Sequence, residues 1–145
     1  MAKEFFNDQQ QKTIVAAIKE AETNTSGEIK VHIEKKCTGH VLDRAAEVFS
    51  TLNMHKTKLR NGVLFYLAVE DHKFAILGDS GINSKVPENF WDTIKVAMQH
   101  EFRQGKFTEG LSNGIKSAGE QLKSHFPYQS DDVNEISDDI SFSNE

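Results

Sequence analysis

The sequence predicts an α/β fold: a three-layer α/β/α sandwich with a small mixed β-sheet flanked by about four helices. Three observations carry this. Apolar stripes at helical spacing alternate with short strand-like runs, in the order α-β-α-β-β-α-α. Residues 63–69, Val-Leu-Phe-Tyr-Leu-Ala-Val, are apolar on both faces, as a central strand covered by helices should be. A polar turn, Glu70-Asp71-His72-Lys73, then separates this run from Phe74-Ala75-Ile76-Leu77, so the two form a hairpin.

Residues 7–22 predict the first helix. Asn7 or Asp8 can cap it, and Ile14, Val15, Ile18 and Ala21 form one apolar stripe. Residues 28–34 alternate strictly. Ile29, Val31 and Ile33 face one way, and Glu28, Lys30, His32 and Glu34 the other, which predicts a strand with one buried face. Residues 41–53 predict a second helix, with Leu42, Ala45, Ala46, Phe49 and Leu52 inward. A helix between the first two strands makes them parallel, and the hairpin sets the third strand antiparallel to the second. Pro87 suits the first turn of a third helix carrying Phe90, Ile94, Met98 and Phe102, which Gly105 can end. Thr108 can cap a fourth helix with Leu111, Ile115, Ala118, Leu122 and Phe126, and Pro127 stops it. Gly110 and Gly114 on that helix predict close packing on the sheet, with a dimer face as the alternative.

The chain has 145 residues and a formal net charge of −5. Its acidity is local. Residues 128–145 hold six acids and no Lys or Arg, which leaves residues 1–127 at +1. The reading is therefore one domain over 1–127 and an acidic tail over 128–145. The tail is expected to be mobile; docking through Val133, Ile136, Ile140 and Phe142 is the alternative. A near-neutral domain argues against a broad basic face for nucleic acid. Seven apolar residues in a row cannot span a bilayer, so no direct membrane span is expected. The first residues have no apolar signal core, and the single Cys, Cys37, cannot form an internal disulfide; a cytoplasmic location follows as the expectation.

Familiar catalytic signatures fail on spacing. Six residues separate Cys37 from Arg44, where a cysteine phosphatase loop has five, so Cys37 reads as an incidental thiol. Lys85 lies four residues past Gly81, so residues 78–85 do not form a phosphate-cradling Gly-Lys-Ser/Thr loop. The six His residues show no zinc spacing, and no Gly-x-Ser-x-Gly elbow occurs.

The predicted strand directions sort the loops into two sheet edges. One edge collects Ser26-Gly27-Glu28, Arg60-Asn61-Gly62, Gly78-Asp79-Ser80-Gly81 and the start of the third helix. There Glu28, Asp79 and Asn61 can hold a hard divalent cation, Ca²⁺ or Mg²⁺, and Arg60 a phosphate oxygen. The alternative is a Glu–Arg salt bridge with an Asp that caps a turn. The rival edge collects Glu34, His40, Asp43, Glu70 and Asp71. It stands at the carboxyl ends of the parallel strands, where ligands of open α/β sheets usually bind.

Four stretches resemble the TPM domain family. They are Thr25-Ser26-Gly27-Glu28-Ile29, Arg60-Asn61-Gly62-Val63-Leu64, residues 74–82 (FAILGDSGI) and residues 102–111 (FRQGKFTEGL). The resemblance spans about residues 8–126. The ending Phe126-Pro127-Tyr128 with Asp132-Val133-Asn134-Glu135 is similar to a bacterial, Bacteroidetes-type branch. The resemblance implies an α/β/α sandwich, a calcium or other divalent ion at an acidic loop site, and membrane-complex partners for some members. For plant members it implies acid phosphatase activity. The expected function is a divalent-cation-binding module for interaction or assembly with an unknown protein partner, without robust catalysis. The alternative is a weak metal-assisted acid phosphatase acting on phosphomonoesters.

Overall fold

The computed structural model describes residues 5–23, 25–128 and 134–143. Helix α1 (Asp8–Glu22) opens with a reciprocal cap. The Asn7 side chain accepts from the Gln10 N–H at 2.8 Å, and the Gln10 side chain accepts from the Asn7 N–H at 2.9 Å. Strand β1 (Glu28–Glu34), helix α2 (Val41–Thr51), strand β2 (Gly62–Ala68) and strand β3 (Lys73–Gly78) follow as predicted, with a 3₁₀ turn at Met54–Lys56 after α2. The predicted third helix is α4 (Phe90–Arg103), which begins three residues past Pro87, and an additional four-residue helix, α3 (Ser80–Asn83), precedes it. So α3, not the long helix, starts beside the Gly78-Asp79 turn. Helix α5 (Phe107–His125) completes the helices, and a short strand β4 (Ser141–Phe142) comes from the tail.

The sheet has the order β3-β2-β1-β4. Strand β1 pairs in parallel with β2, Glu28 opposite Gly62 and Glu34 opposite Ala68, and β2 pairs antiparallel with β3. Strand β4 adds to the outer side of β1, also in parallel, with His32 opposite Ser141. Residues 134–143 therefore lie against the domain. Ile136 is buried, and Ile140 and Phe142 pack against the core. Val133, Asp131, Asp132 and Glu145 lie outside the described residues.

The two faces of the sheet are covered differently. On one face, Ile29, Val31, Ile33, Val63, Phe65 and Leu67 meet the apolar stripes of α1, α4 and α5. Close packing among these helices needs glycine. A Cβ on Gly114 would come within 2.6 Å of the Met98 sulfur, and one on Gly119 within 2.6 Å of the Ala21 Cβ. Gly114 lies against both α4 and the sheet, while Gly110 meets Phe102 of α4. On the other face α2 packs mainly on β3 and β2, and its core comprises Ala45, Val48, Phe49, Leu64, Tyr66 and Ala75. One helix cannot also cover β1, and residues 134–143 lie over what remains. This explains why all seven residues of β1 are buried, although four of them are ionisable. Among the described residues no helix is long and apolar enough to cross a membrane.

Candidate functional site

The polar side of β1 is a row of four ionisable side chains, each with its own partners. Glu28 accepts the backbone N–H of Glu135 at 3.2 Å and of Ile136 at 3.0 Å. The Lys30 ammonium donates to the carbonyls of Ser137, at 3.1 Å, and Asp139. His32 Nδ1 meets Ser141 Oγ at 2.8 Å, and its Nε2 lies 3.2 Å from Glu34. Glu34 receives Arg44 Nε and Nη2, both at 2.8 Å, together with the Tyr66 hydroxyl. Three of the four side chains hold the tail, and mostly by its backbone.

At the start of the parallel strands the predicted residues divide into two groups. Arg60 and Asp79 form a bidentate ion pair, Nε to Oδ2 at 2.7 Å and Nη2 to Oδ1 at 2.8 Å. Asp79 also accepts the Ser80 N–H at 2.7 Å and so caps α3. Arg60 takes a left-handed backbone, φ 52°, and its carbonyl accepts the Gly81 N–H at 2.8 Å. A Cβ on Gly81 would stand 2.1 Å from the Leu59 carbonyl oxygen, so only glycine fits that approach. Glu28 is not joined to this pair; its partners are in the tail. Asn61 lies between the two groups. Its Nδ2 donates to Ser26 Oγ at 3.4 Å, and its buried Oδ1 has no hydrogen-bond partner among the described residues.

Around Glu28 the chain gathers acids that the motif search overlooked. Glu22, at the end of α1, accepts the Ile29 N–H at 2.7 Å, and Asp138 of the tail comes beside Glu22. With Lys19, Ser26 and Asn134, the residues Glu22, Glu28 and Asp138 line a cavity of about 220 Å³. Burial, followed by contact with Asp138, pushes the Glu22 carboxyl up to about 9. Burial also raises Glu28, to about 7, against the pull of its two N–H donors. Among the described residues no three His, Cys, Asp or Glu side chains form a ready-made metal cluster.

The rival edge has internal partners for most of its groups. Burial alone would raise Glu34, but Arg44, Tyr66 and His32 together outweigh it and hold the carboxyl down, to about 2. Burial lowers His32, which favours the neutral ring. Asp71 accepts the Cys37 N–H at 2.7 Å, and His40 caps α2 through the Leu42 N–H at 3.3 Å. Glu70 makes an exposed ion pair with Lys35 at 3.6 Å. Asp43 sits exposed in the first turn of α2.

Sequence reasoning missed Glu22, Asp138 and Ser141 as members of these groupings. The available signal was the strict polar alternation of β1. Four ionisable residues on a strand next to the sheet centre require a polar cover, and residues 134–143 supply backbone groups for it.

Fold and site together define a small α/β/α sandwich domain with an acid-lined edge closed by its own C-terminal segment. Compared with known proteins, residues 2–121 match the family model described as the TPM domain. The chain belongs to the TPM domain family. It is similar to the NMR structure of BA42 protein from the psychrophilic bacterium Bizionia argentinensis, with 50% identity, 99% of each chain covered and a TM-score of 0.90. A domain from P. gingivalis superposes with a TM-score of 0.70 at 18% identity, covering 86% of this chain and 82% of that one. A domain from Corynebacterium glutamicum gives 0.65 at 15%, covering 89% and 80%. The last two likenesses concern the fold alone. No curated protein matches.

Proposed function

We propose that this TPM domain binds a divalent cation, Ca²⁺ or Mg²⁺, and acts as an interaction or assembly module rather than a robust catalyst. The observation that carries the reading is the cavity where Glu22 and Glu28 meet Asp138 of the tail. Its donors are hard oxygens: carboxylates, the Ser26 hydroxyl and, nearby, the orphaned Asn61 Oδ1. Such a set suits Ca²⁺ or Mg²⁺ better than a soft metal. Crowded buried carboxylates are costly unless protonated or neutralised, and a cation neutralises them. Glu22, Glu28 and Asp138 would hold the ion, which would supply charge compensation between domain and tail. Asp79 is the less favoured ligand, because both its oxygens are already engaged by Arg60. The same pairing disfavours Arg60 as a phosphate clamp. A cytoplasmic location and an unidentified protein partner belong to the same proposal.

The test is an amide-shift titration with Ca²⁺ and with Mg²⁺. Saturable shifts at Glu22, Ser26, Glu28 and Asp138 are expected. Shifts centred on Glu34, Asp43 and Asp71 would move the site to the other edge, and no shifts at all would remove it. Hydrolysis of a chromogenic phosphomonoester with and without cation tests the alternative. Metal-dependent turnover lost in Glu28→Gln would favour the phosphatase reading over the binding module.

A further inference from the structure

A second cavity, of about 230 Å³, opens at the far end of the sheet from Glu28, beneath the β2–β3 turn. Its walls are Leu67 and Val69 at the end of β2, Phe74 of β3, Phe102 of α4, Phe107 of α5, and Phe5. The four phenylalanines hold one another in place. Phe5 and Phe107 meet edge-on with ring centroids 5.2 Å apart, Phe74 and Phe102 edge-on at 5.1 Å, and Phe102 stacks on Phe107 at 5.5 Å. These ring contacts give the open pocket an aromatic wall. A closed apolar cavity of about 150 Å³ stays dry and accepts benzene. The larger space here has room for one ring or branched chain with a short arm reaching outward.

Lys73 and Arg103 stand at the opening beside His72, and among the described residues no Asp or Glu lines it. Lys73 is engaged, donating to the carbonyls of Cys37 and Gly39 at 3.0 Å each. Arg103 is exposed, at the last turn of α4, and no ion pair or hydrogen bond of its side chain occurs among the described residues. A free guanidinium beside an aromatic floor selects a planar anion attached to an apolar body.

We propose that this cavity is a binding site for a small hydrophobic carboxylate, its aryl or branched alkyl body among the phenylalanines and its acid group on Arg103. The site is independent of the acid-lined edge.

The full chain tests it, with 3-phenylpropionate as probe and 3-phenylpropanol as the uncharged control, followed by amide shifts. Expected are saturable shifts confined to Ala68, Val69, Phe74, Phe102, Arg103 and Phe107, and tighter binding of the acid by about tenfold, the size of one charge-assisted contact. Arg103→Gln should remove that preference and leave the alcohol unaffected. Gln99→Trp, at an exposed position on the lining, should block both probes while the spectrum stays folded. Equal binding of acid and alcohol to the native chain, an unsaturable response, or shifts centred elsewhere would overturn the proposal.

Discussion

Glu28 and Glu34 stand at opposite ends of β1, on the same polar side, and both are buried. Their pKa values move in opposite directions: Glu28 rises to about 7 and Glu34 falls to about 2. Burial opposes the charged form of each, so burial alone does not set the sign. The partners do. Glu34 faces a guanidinium, a phenol and an imidazole. Glu28 faces two neutral backbone N–H groups, with Glu135 and Asp138 adding repulsion. One end of the strand thus stores a compensated charge, and the other holds its carboxyl toward the protonated form, whose proton an external cation can displace.

The largest break in this contrast comes from Arg44. Arg44→Met leaves Glu34, whose side chain is 2% exposed, without its charged partner. Removing one member of a buried pair costs about 3–5 kcal/mol, and the one-third exposure of Arg44 places this near 3 kcal/mol. Urea denaturation measures it. Glu28→Gln without added cation should cost less than about 1 kcal/mol, because a neutral group there keeps an acceptor for the tail N–H groups.

Cation binding is the next largest effect. At 100 times its dissociation constant, a ligand specific for the native state adds about 2.7 kcal/mol. Thermal unfolding of the native chain at pH 7.5 should therefore shift upward by several degrees with Ca²⁺ or Mg²⁺, and that of Glu28→Gln should not.

The pH dependence sharpens the other end. The Glu34 pKa is held down, so its contribution is full above the ordinary carboxyl range near 4.5. It is lost as pH falls through about 2. The loss is on the order of 2 kcal/mol. Denaturation curves from pH 5 to pH 2 should show a shallower decline in Glu34→Gln than in the native chain. A matching decline in both would mean that other carboxyls dominate acid unfolding.

The smallest effect belongs to Arg60. Its side chain is 49% exposed, against 35% for Arg44, although both make bidentate pairs. Exposed pairs contribute little, so Arg60→Met should cost clearly less than Arg44→Met in the same urea assay. A cost equal to that of Arg44→Met would erase the distinction between the two ends.

How much of this was legible depended on the range of the interactions. Apolar stripes, the polar turn at 70–73 and the two-faced run at 63–69 are local patterns, and they predicted the helices, the hairpin and the parallel pair. Strand β4 was not legible, because two residues make no periodicity and Ser141 meets His32 across 109 positions. The candidate site was legible only in part. Topology brought Glu28, Arg60, Asn61 and Asp79 to one edge. Whether Asp79 turned to Glu28 or to Arg60 depended on side-chain directions that no spacing encodes. Glu22 and Asp138 lay on elements that the sorting of loops did not consider.

By itself the sequence determined the order of elements, the direction of three strands, the apolar layers and the family resemblance, because each depends on periodicity or on contiguous residues. The tertiary structure alone decided that residues 134–143 cover the polar side of β1, and that the carboxyl groups at the two ends of β1 have opposite character. Those outcomes depend on which distant groups are buried together. In a site removed from water, a carboxylate's charge is set by its neighbours rather than by its place in the chain.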